Sequence, residues 1–476
     1  MDLDMTLPPG PRRRRAIYEH LRNALLEGKL RAGEPLPPSR ELASRLGVSR
    51  ATVLSAYDQL VGEGFVRTRP GAGTYVTQLP GLQSRPARQA AGQASAVSPP
   101  QPWAAIPLPS AFDVQAELDF RSGLPDTSLF PLATWRRHTQ RVLTVGHLGK
   151  GIYGEPAGDE RLREAISRHI ALSRGVVTDP GSVIVTSGAQ QAIDLVARVL
   201  AGPGDQVAVE DPGYEPARWL FQSLRLRIAG VPVDREGIVV EDIPAGVRLV
   251  YVTPSHQYPL GVVLSLQRRL ALLDWAHRTD AVIIEDDYDS EFRFGGRAIE
   301  PLWTLDRDGR VIYVGSFSKT MLPSLRLGFL ITPHGLRAAL LAAKYVTDWH
   351  TSLVTQKAMA SFIDEGDFAR HIRKMRAVYA QRHELVTATI RDAFADHLEP
   401  VTSGVGIHIA AHAPRAAVHD IDHVAGRALQ HGVAVQRLHR FIVTRQPLSG
   451  LVIGYGAIPT NRITEGLDRL LQCFSA

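Results

Sequence analysis

The chain holds a single cysteine, Cys473, so no disulfide can form within it, and a reducing compartment is expected. No apolar run approaches the roughly 20 residues that a membrane-spanning helix needs. Arg12–Arg15 have no apolar stretch of signal-peptide length behind them. Together these absences argue for a cytoplasmic protein with no membrane partner. No internal repeat is evident.

The 476 residues are too many for one ordinary domain, and 44% hydrophobic content is ample for packed cores. Net charge is +6, from 54 basic and 48 acidic residues, and it is uneven. Residues 1–80 carry 12 Lys and Arg against 8 Asp and Glu, which leaves +4 there and only +2 in the remaining 396. The asymmetry points to a polyanion partner for the N-terminal part, although a mildly basic soluble domain would give the same balance.

In residues 1–77, Ile17, Leu21, Leu25 and Leu26 recur at helical spacing. Ser39 is expected to cap a helix starting near Arg40, and Gly47 to close it. Ser49 would cap the next helix, running through Val53, Tyr57 and Leu60 to Gly62. Phe65–Thr68 and Thr74–Val76 read as strands joined by Pro70-Gly71-Ala72-Gly73. Three helices and a hairpin make a winged helix-turn-helix. Arg50 and Thr52 fall at the start of the second helix of the motif, where such proteins read the major groove of double-stranded DNA. Arg40 heads the preceding helix. Gly71, Gly73 and Thr74 form a wing tip that can approach the DNA backbone.

This stretch resembles the GntR group of regulators. The matching features are Pro37-Pro38-Ser39-Arg40-Glu41-Leu42-Ala43, Gly47-Val48-Ser49-Arg50-Ala51-Thr52-Val53 and Gly71-Ala72-Gly73-Thr74. Arg12–Arg15 could be an arm on phosphates or a solvated tail.

Residues 78–118 are rich in Pro, Ala, Gln, Ser and Gly and lose apolar periodicity, so a flexible linker with a reach on the order of 35 Å is expected. Over 119–476, short apolar runs (Val183–Val185, Val207–Val209, Leu249–Val252, Val282–Ile284, Val311–Val314) alternate with helical patterns. That alternation predicts an α/β domain with a largely parallel sheet covered on both faces.

Polar motifs cluster just after these strands, where open α/β sheets bind ligands. Their residue types meet the needs of pyridoxal 5'-phosphate: an amine, a carboxylate for the ring nitrogen, amide and cationic donors for phosphate, and a flat surface. Lys319 can be the amine. Ser316, Ser318 and Arg326 stand near it. Ser187-Gly188-Ala189-Gln190 opens a helix whose amides form an anion site. Asp286 follows a strand, Tyr288 can donate to the ring 3-oxygen, and Tyr214 can stack on the ring. Singly these signals are weak, since Asp286-Asp287 alone could be a metal site or a helix cap.

As a set they resemble fold-type-I aminotransferases. The nearest likeness is to the MocR subfamily of GntR regulators, which joins such a domain to a winged helix. The resemblance also rests on Tyr153-Gly154-Glu155-Pro156-Ala157-Gly158 and Thr253-Pro254-Ser255-His256-Gln257-Tyr258-Pro259. It implies that Lys319 carries the cofactor as the Schiff-base lysine, that Asp286 is the pyridinium partner and that Arg326 binds phosphate. It also implies a homodimer in which Tyr153 reaches the partner subunit's phosphate.

Three departures bear on function. Tyr258 replaces the asparagine that donates to the 3-oxygen in the related aminotransferases, with His256 close by, so efficient transamination is not expected. Leu451-Val452-Ile453-Gly454-Tyr455 lacks the carboxylate-binding arginine common in that fold. Pro216 stands where the group's γ-aminobutyrate sensor has an arginine; Arg437 and Arg440 are the available substitutes. The resemblance therefore implies a transcription regulator that binds operator DNA and senses pyridoxal phosphate or an amino compound, governing vitamin B6 or amino-acid metabolism genes. The alternative is an active aminotransferase with an accessory DNA-binding domain.

Overall fold

A computed structural model describes residues 13–77, 102–108, 116–144, 152–295, 300–401, 403–414, 421–444 and 448–474. Arg12 and most of the expected linker lie outside the described residues. The chain divides into two compact units, Met1–Ser98 and Pro99–Ala476.

The first unit holds α1 (Arg13–Leu26), α2 (Ser39–Leu46), α3 (Arg50–Gly62) and the antiparallel hairpin of β1 (Val66–Arg69) and β2 (Gly73–Val76). Ile17, Leu21, Leu25, Leu42, Val53, Tyr57 and Leu60 form its core with Val66 and Val76, while Leu26 is exposed. Gly47 ends α2 in the left-handed conformation, φ +61°. The expectation for Ser39 is corrected. Pro38 is the N-cap and Ser39 is already helical, its Oγ accepting from Arg50 Nε at 3.3 Å. Ser49 does cap α3, accepting from the Thr52 amide at 3.2 Å.

In the second unit Leu118, placed above in the linker, is instead part of β3 (Leu118–Asp119). Its side chain is 1% exposed, so burial draws it into the domain, where β3 pairs with β14 (Val433–Ala434). A short 3-10 turn, Trp103–Ala105, also lies within the expected linker.

The main sheet has eight strands in the order β4-β11-β10-β9-β8-β5-β6-β7. They are β4 (Val183–Thr186), β5 (Gln206–Asp211), β6 (Arg227–Asp234), β7 (Gly237–Ile238), β8 (Val247–Val252), β9 (Val282–Asp287), β10 (Val311–Ser316) and β11 (Gly328–Ile331). The middle five are parallel; β11 is antiparallel to both neighbours and β7 to β6. Central strands are apolar along their length because helices cover both faces. Ile184, Val207 and Leu249 pack with the helix Ala189–Leu200 on one side, while Val183, Val185 and Tyr313 pack with the helices Glu160–Arg174 and Leu353–Asp364 on the other.

A smaller antiparallel sheet, order β12-β13-β16-β15, contains β12 (Glu399–Pro400), β13 (His408–His412), β15 (Gln436–Arg437) and β16 (Gly450–Gly454). The long helix Asp367–Ala393 shares its core through Met375, Tyr379, Val386 and Ile390.

Candidate functional site

In the first unit, Tyr57 Oη donates to the Pro37 carbonyl at 2.8 Å, a buried bond that ties the start of α2 to α3. Arg40, Ser49, Arg50, Gly71 and Gly73 are exposed, and Thr52 and Thr74 partly so. Gly71 (φ +74°) and Gly73 (φ +113°) have the backbone that a tight wing tip requires. Arg69 stacks over the Tyr75 ring at 5.0 Å, at the base of that wing. The residues expected to read DNA therefore lie on the starts of α2 and α3 and on the hairpin tip, with Arg50 Nε donating to Ser39 Oγ and the Ser49 and Thr52 hydroxyls 2.8 Å apart.

In the second unit the strand registers bring the other motifs to one rim. Ser316 pairs with Gly328, and Gly328 with Thr186, so the Lys319 segment, Arg326 and the Ser187-Gly188 turn meet at one edge. Gly188 is the N-cap of the helix Ala189–Leu200 with φ +86°. A Cβ there would lie 3.0 Å from Arg326 Nη2, which already donates to the Ser187 carbonyl at 2.9 Å. A Cβ on Gly328 would strike the Gly188 backbone at 2.9 Å. Two glycines thus permit the close approach of a guanidinium to a helix N-terminus, an arrangement that suits phosphate.

Ser318 N donates to Ser316 Oγ at 3.1 Å, and Ser316 Oγ to Ser318 Oγ at 3.0 Å. Ser187 Oγ lies 3.4 Å from Thr351 Oγ1. Gln190 Nε2 donates to the Pro216 carbonyl at 2.9 Å, and Ala189 and Gln190, at the helix start, offer their backbone amides.

Lys319 Nζ donates to the Gly123 carbonyl at 2.6 Å. Burial pushes its pKa down, against the opposing pull of Asp289 and Asp286. Asp286 sits within the last residues of β9, one position before the strand ends. Its Oδ2 accepts from Tyr251 Oη at 2.7 Å, while its Oδ1 is buried without a partner among the described residues. Burial raises the Asp286 pKa to about 7, and the Tyr251 bond opposes that rise. The Tyr214 ring lies 6.5 Å from that of Tyr251, nearly parallel, and 5.6 Å from Tyr258, edge-on. Tyr288 Oη is 3.0 Å from His256 Nδ1.

Tyr258 does not take up the asparagine's place as a free donor. Its hydroxyl is 2.7 Å from Ser122 Oγ, which donates in turn to Gln436 Oε1 at 2.6 Å. Tyr153 is 72% exposed and stacks on Trp349 at 4.4 Å. Arg440 pairs with Glu215 at 2.9 Å and Arg437 with Asp422 at 2.6 Å. Leu451 occupies its apolar position fully buried.

Sequence reasoning missed Gly123, Tyr251, Ser122 and Gln436. Tyr251 left a signal: a hydroxyl in a buried strand must find a partner. Gly123 left none, since it contributes only a carbonyl.

These residues fit pyridoxal phosphate on two observations. The open Asp286 Oδ1 is an acceptor that a protonated ring nitrogen would satisfy, and the absence of a Cβ at 188, where φ is +86°, lets the Arg326 guanidinium come close to the helix start.

Residues 118–450 match the family described as aminotransferase class I and II, and residues 13–76 match bacterial regulatory proteins of the gntR family. The probable rhizopine catabolism regulatory protein MocR of Rhizobium meliloti is 39% identical over 97% of this chain and 94% of its own length. The pyridoxine biosynthesis transcriptional regulator PdxR of Corynebacterium glutamicum is 32% identical over 93% and 91%. Among solved structures, a kynurenine aminotransferase of Pyrococcus horikoshii superposes with a TM-score of 0.72 at 26% identity, covering 79% of this chain and 96% of that one. The α-aminoadipate aminotransferase LysN of Thermus thermophilus, complexed with N-(5'-phosphopyridoxyl)-L-leucine, gives 0.67 at 27% identity, covering 78% and 98%. No described helix is long and apolar enough to cross a membrane. A winged helix of one family and an aminotransferase domain of the other, matched end to end by MocR and PdxR, show that this chain belongs to the MocR-type transcriptional regulators of the GntR family.

Proposed function

We propose that the aminotransferase-like domain holds pyridoxal phosphate as a sensor and that the winged helix carries its state to operator DNA. The observation that carries this reading is the buried, unpartnered Asp286 Oδ1 on the same rim as Lys319 and the Arg326–Gly188 cradle. When bound, the cofactor supplies an electrophilic carbon that takes up amines and a ring that withdraws electrons.

Lys319 gives the amine, kept reactive by burial. Asp286 holds a proton on the ring nitrogen. The amides that follow Gly188, with Ser187, Ser316, Ser318 and Arg326, bind phosphate. Tyr214 covers one ring face and Tyr288 donates to the 3-oxygen. Tyr153 is assigned to the phosphate of the partner subunit in a homodimer, where its exposed ring would be covered. Two winged helices would then read two half-sites through Arg40, Ser49, Arg50 and Thr52, with Gly71, Gly73 and Thr74 against the backbone.

The effector is pyridoxal phosphate itself or an amino compound without a carboxylate clamp. Pro216 stands at one expected clamp position, the stretch Leu451–Tyr455 holds no arginine for the other, and Arg437 and Arg440 are paired with Asp422 and Glu215. Control of vitamin B6 or amino-acid metabolism genes follows from that chemistry. The domain border is placed at residues 77–78 and the linker at 78–118, of which Leu118 lies in β3.

The test is the visible spectrum and the borohydride-trapped mass of the wild type and of Lys319→Ala, with operator footprinting at increasing pyridoxal phosphate. A trapped adduct in wild type alone, and a footprint that changes with the cofactor, are expected. An adduct retained by Lys319→Ala would refute the assignment.

A further inference from the structure

His256 and Asp289 form a buried pair that the cofactor reading leaves without a role, each 1% exposed. His256 Nδ1 lies 2.9 and 3.1 Å from the two Asp289 carboxylate oxygens and 3.0 Å from Tyr288 Oη. An approach that bisects the carboxylate is that of an N–H donor. Among the described residues His256 Nε2 is buried without a partner, so a proton there would be an unsatisfied donor. Both facts put the proton on Nδ1.

That nitrogen then donates to Asp289 and, at its edge, to the Tyr288 phenol oxygen. With its oxygen accepting, Tyr288 keeps its own proton free to donate elsewhere. The seat is cut to shape: a Cβ on Gly406 would lie 2.0 Å from His256 Cε1 and 2.6 Å from Asp289 Oδ2.

Tyr258, which replaces the usual asparagine donor, is turned to Ser122. Tyr288 is thus left as the phenol available for the 3-oxygen. We propose that His256, held by Asp289, is a positioning residue that aims the Tyr288 proton at the 3-oxygen of pyridoxal phosphate and so takes over the missing asparagine's task. The inference rests on the proposed cofactor site.

Other titratable groups face this cluster. Asp286, Glu210 and Tyr258 act on Tyr288; the His408 ring lies tilted against His256 with centroids 4.7 Å apart, His383 lies near it, and Lys319 stands by Asp289. None of these supplies a donor to Tyr288 Oη among the described residues.

The test is a pH titration of the visible spectrum of full-length protein loaded with pyridoxal phosphate. A phenol donor stabilises the anionic 3-oxygen, so losing it should raise the pH of the colour change. Tyr288→Phe and His256→Leu should each raise it by about one unit. The double variant should go no further than Tyr288→Phe. His256→Asn, whose amide can take the place of Nδ1, should restore the wild-type titration, and His256→Gln should not. If His256→Leu does not fold, the Asn and Gln pair answers the same question.

A His256→Leu shift that persists in the Tyr288→Phe background, rescue by Gln and not Asn, or no shift in either single variant would overturn the inference. Wild-type protein that takes up no pyridoxal phosphate would overturn the proposed function and this inference with it. Uptake with a titration independent of His256 overturns this inference alone.

Discussion

Tyr251 donates to one oxygen of Asp286 at 2.7 Å and leaves the other oxygen buried without a partner among the described residues. The two residues lie on adjacent parallel strands, β8 and β9, so the sheet itself sets which carboxylate oxygen is taken and which is open. Tyr251→Phe would leave both oxygens unsatisfied and Asp286 less able to stay ionised. Pyridoxal phosphate affinity should fall about tenfold, on the order of 1–2 kcal/mol, as read by titration of the visible spectrum. An unchanged affinity would show that the bond does not orient the carboxylate.

Asp286→Asn should separate stability from binding. The folded Asp286 carboxyl titrates near 7, above its ordinary value of 3.8, because it is buried. A raised carboxyl contributes fully below its unfolded value, and the contribution fades as pH rises through the folded value. Cofactor-free wild type should therefore lose stability between about pH 4 and 7. Asp286→Asn should escape that loss, gaining on the order of a few kcal/mol at pH 8 but little at pH 4, while no longer retaining the cofactor. Thermal melts at the two pH values, with and without pyridoxal phosphate, check both halves.

Gly188→Ala should weaken the cofactor without unfolding the domain. The backbone there has φ +86° and the new methyl meets Arg326. Strain of about 1 kcal/mol or more is expected, together with a displaced guanidinium. Fluorescence titration should show at least a several-fold loss of affinity, with near-native circular dichroism.

On the DNA-reading unit, Arg50→Ala should cost about 1–3 kcal/mol of discrimination between operator and altered sites. Ser49→Ala should cost about 1 kcal/mol of stability through the lost cap on α3. Mobility-shift assays and melts distinguish the two, and cofactor spectra should be unchanged in both. Operator affinity unaltered in Arg40→Ala and Arg50→Ala would remove both residues from the interface.

If cofactor binding governs operator binding, linkage makes the effect mutual: operator must change cofactor affinity by the same factor. Titrating pyridoxal phosphate into cofactor-free protein with and without operator, alongside sedimentation, measures that factor and the subunit number. Equal affinities would exclude the coupling.

The local pattern of the chain determined a good deal unaided. Helical spacing, the Ser49 cap and the Pro70–Gly73 turn located α1–α3 and the hairpin, and five apolar runs marked β4, β5, β8, β9 and β10, because these depend on neighbours in sequence. The chemical set Lys319, Asp286, Arg326 and Gly188 was legible because each residue type is tied to one task at a strand or helix end. Only the tertiary structure decided the rest. Gly123 meets Lys319 from 196 positions away, and Ser122 meets Gln436 across 314. It paired the Tyr258 hydroxyl with Ser122, and it made Pro38 rather than Ser39 the cap of α2. It also set His256 between Asp289 and Tyr288, a pairing that exists because Gly406 leaves room for an imidazole. Sequence spacing fixes the period and the ends of an element; which donor faces which acceptor is settled by packing, where long-range neighbours compete for each buried polar atom.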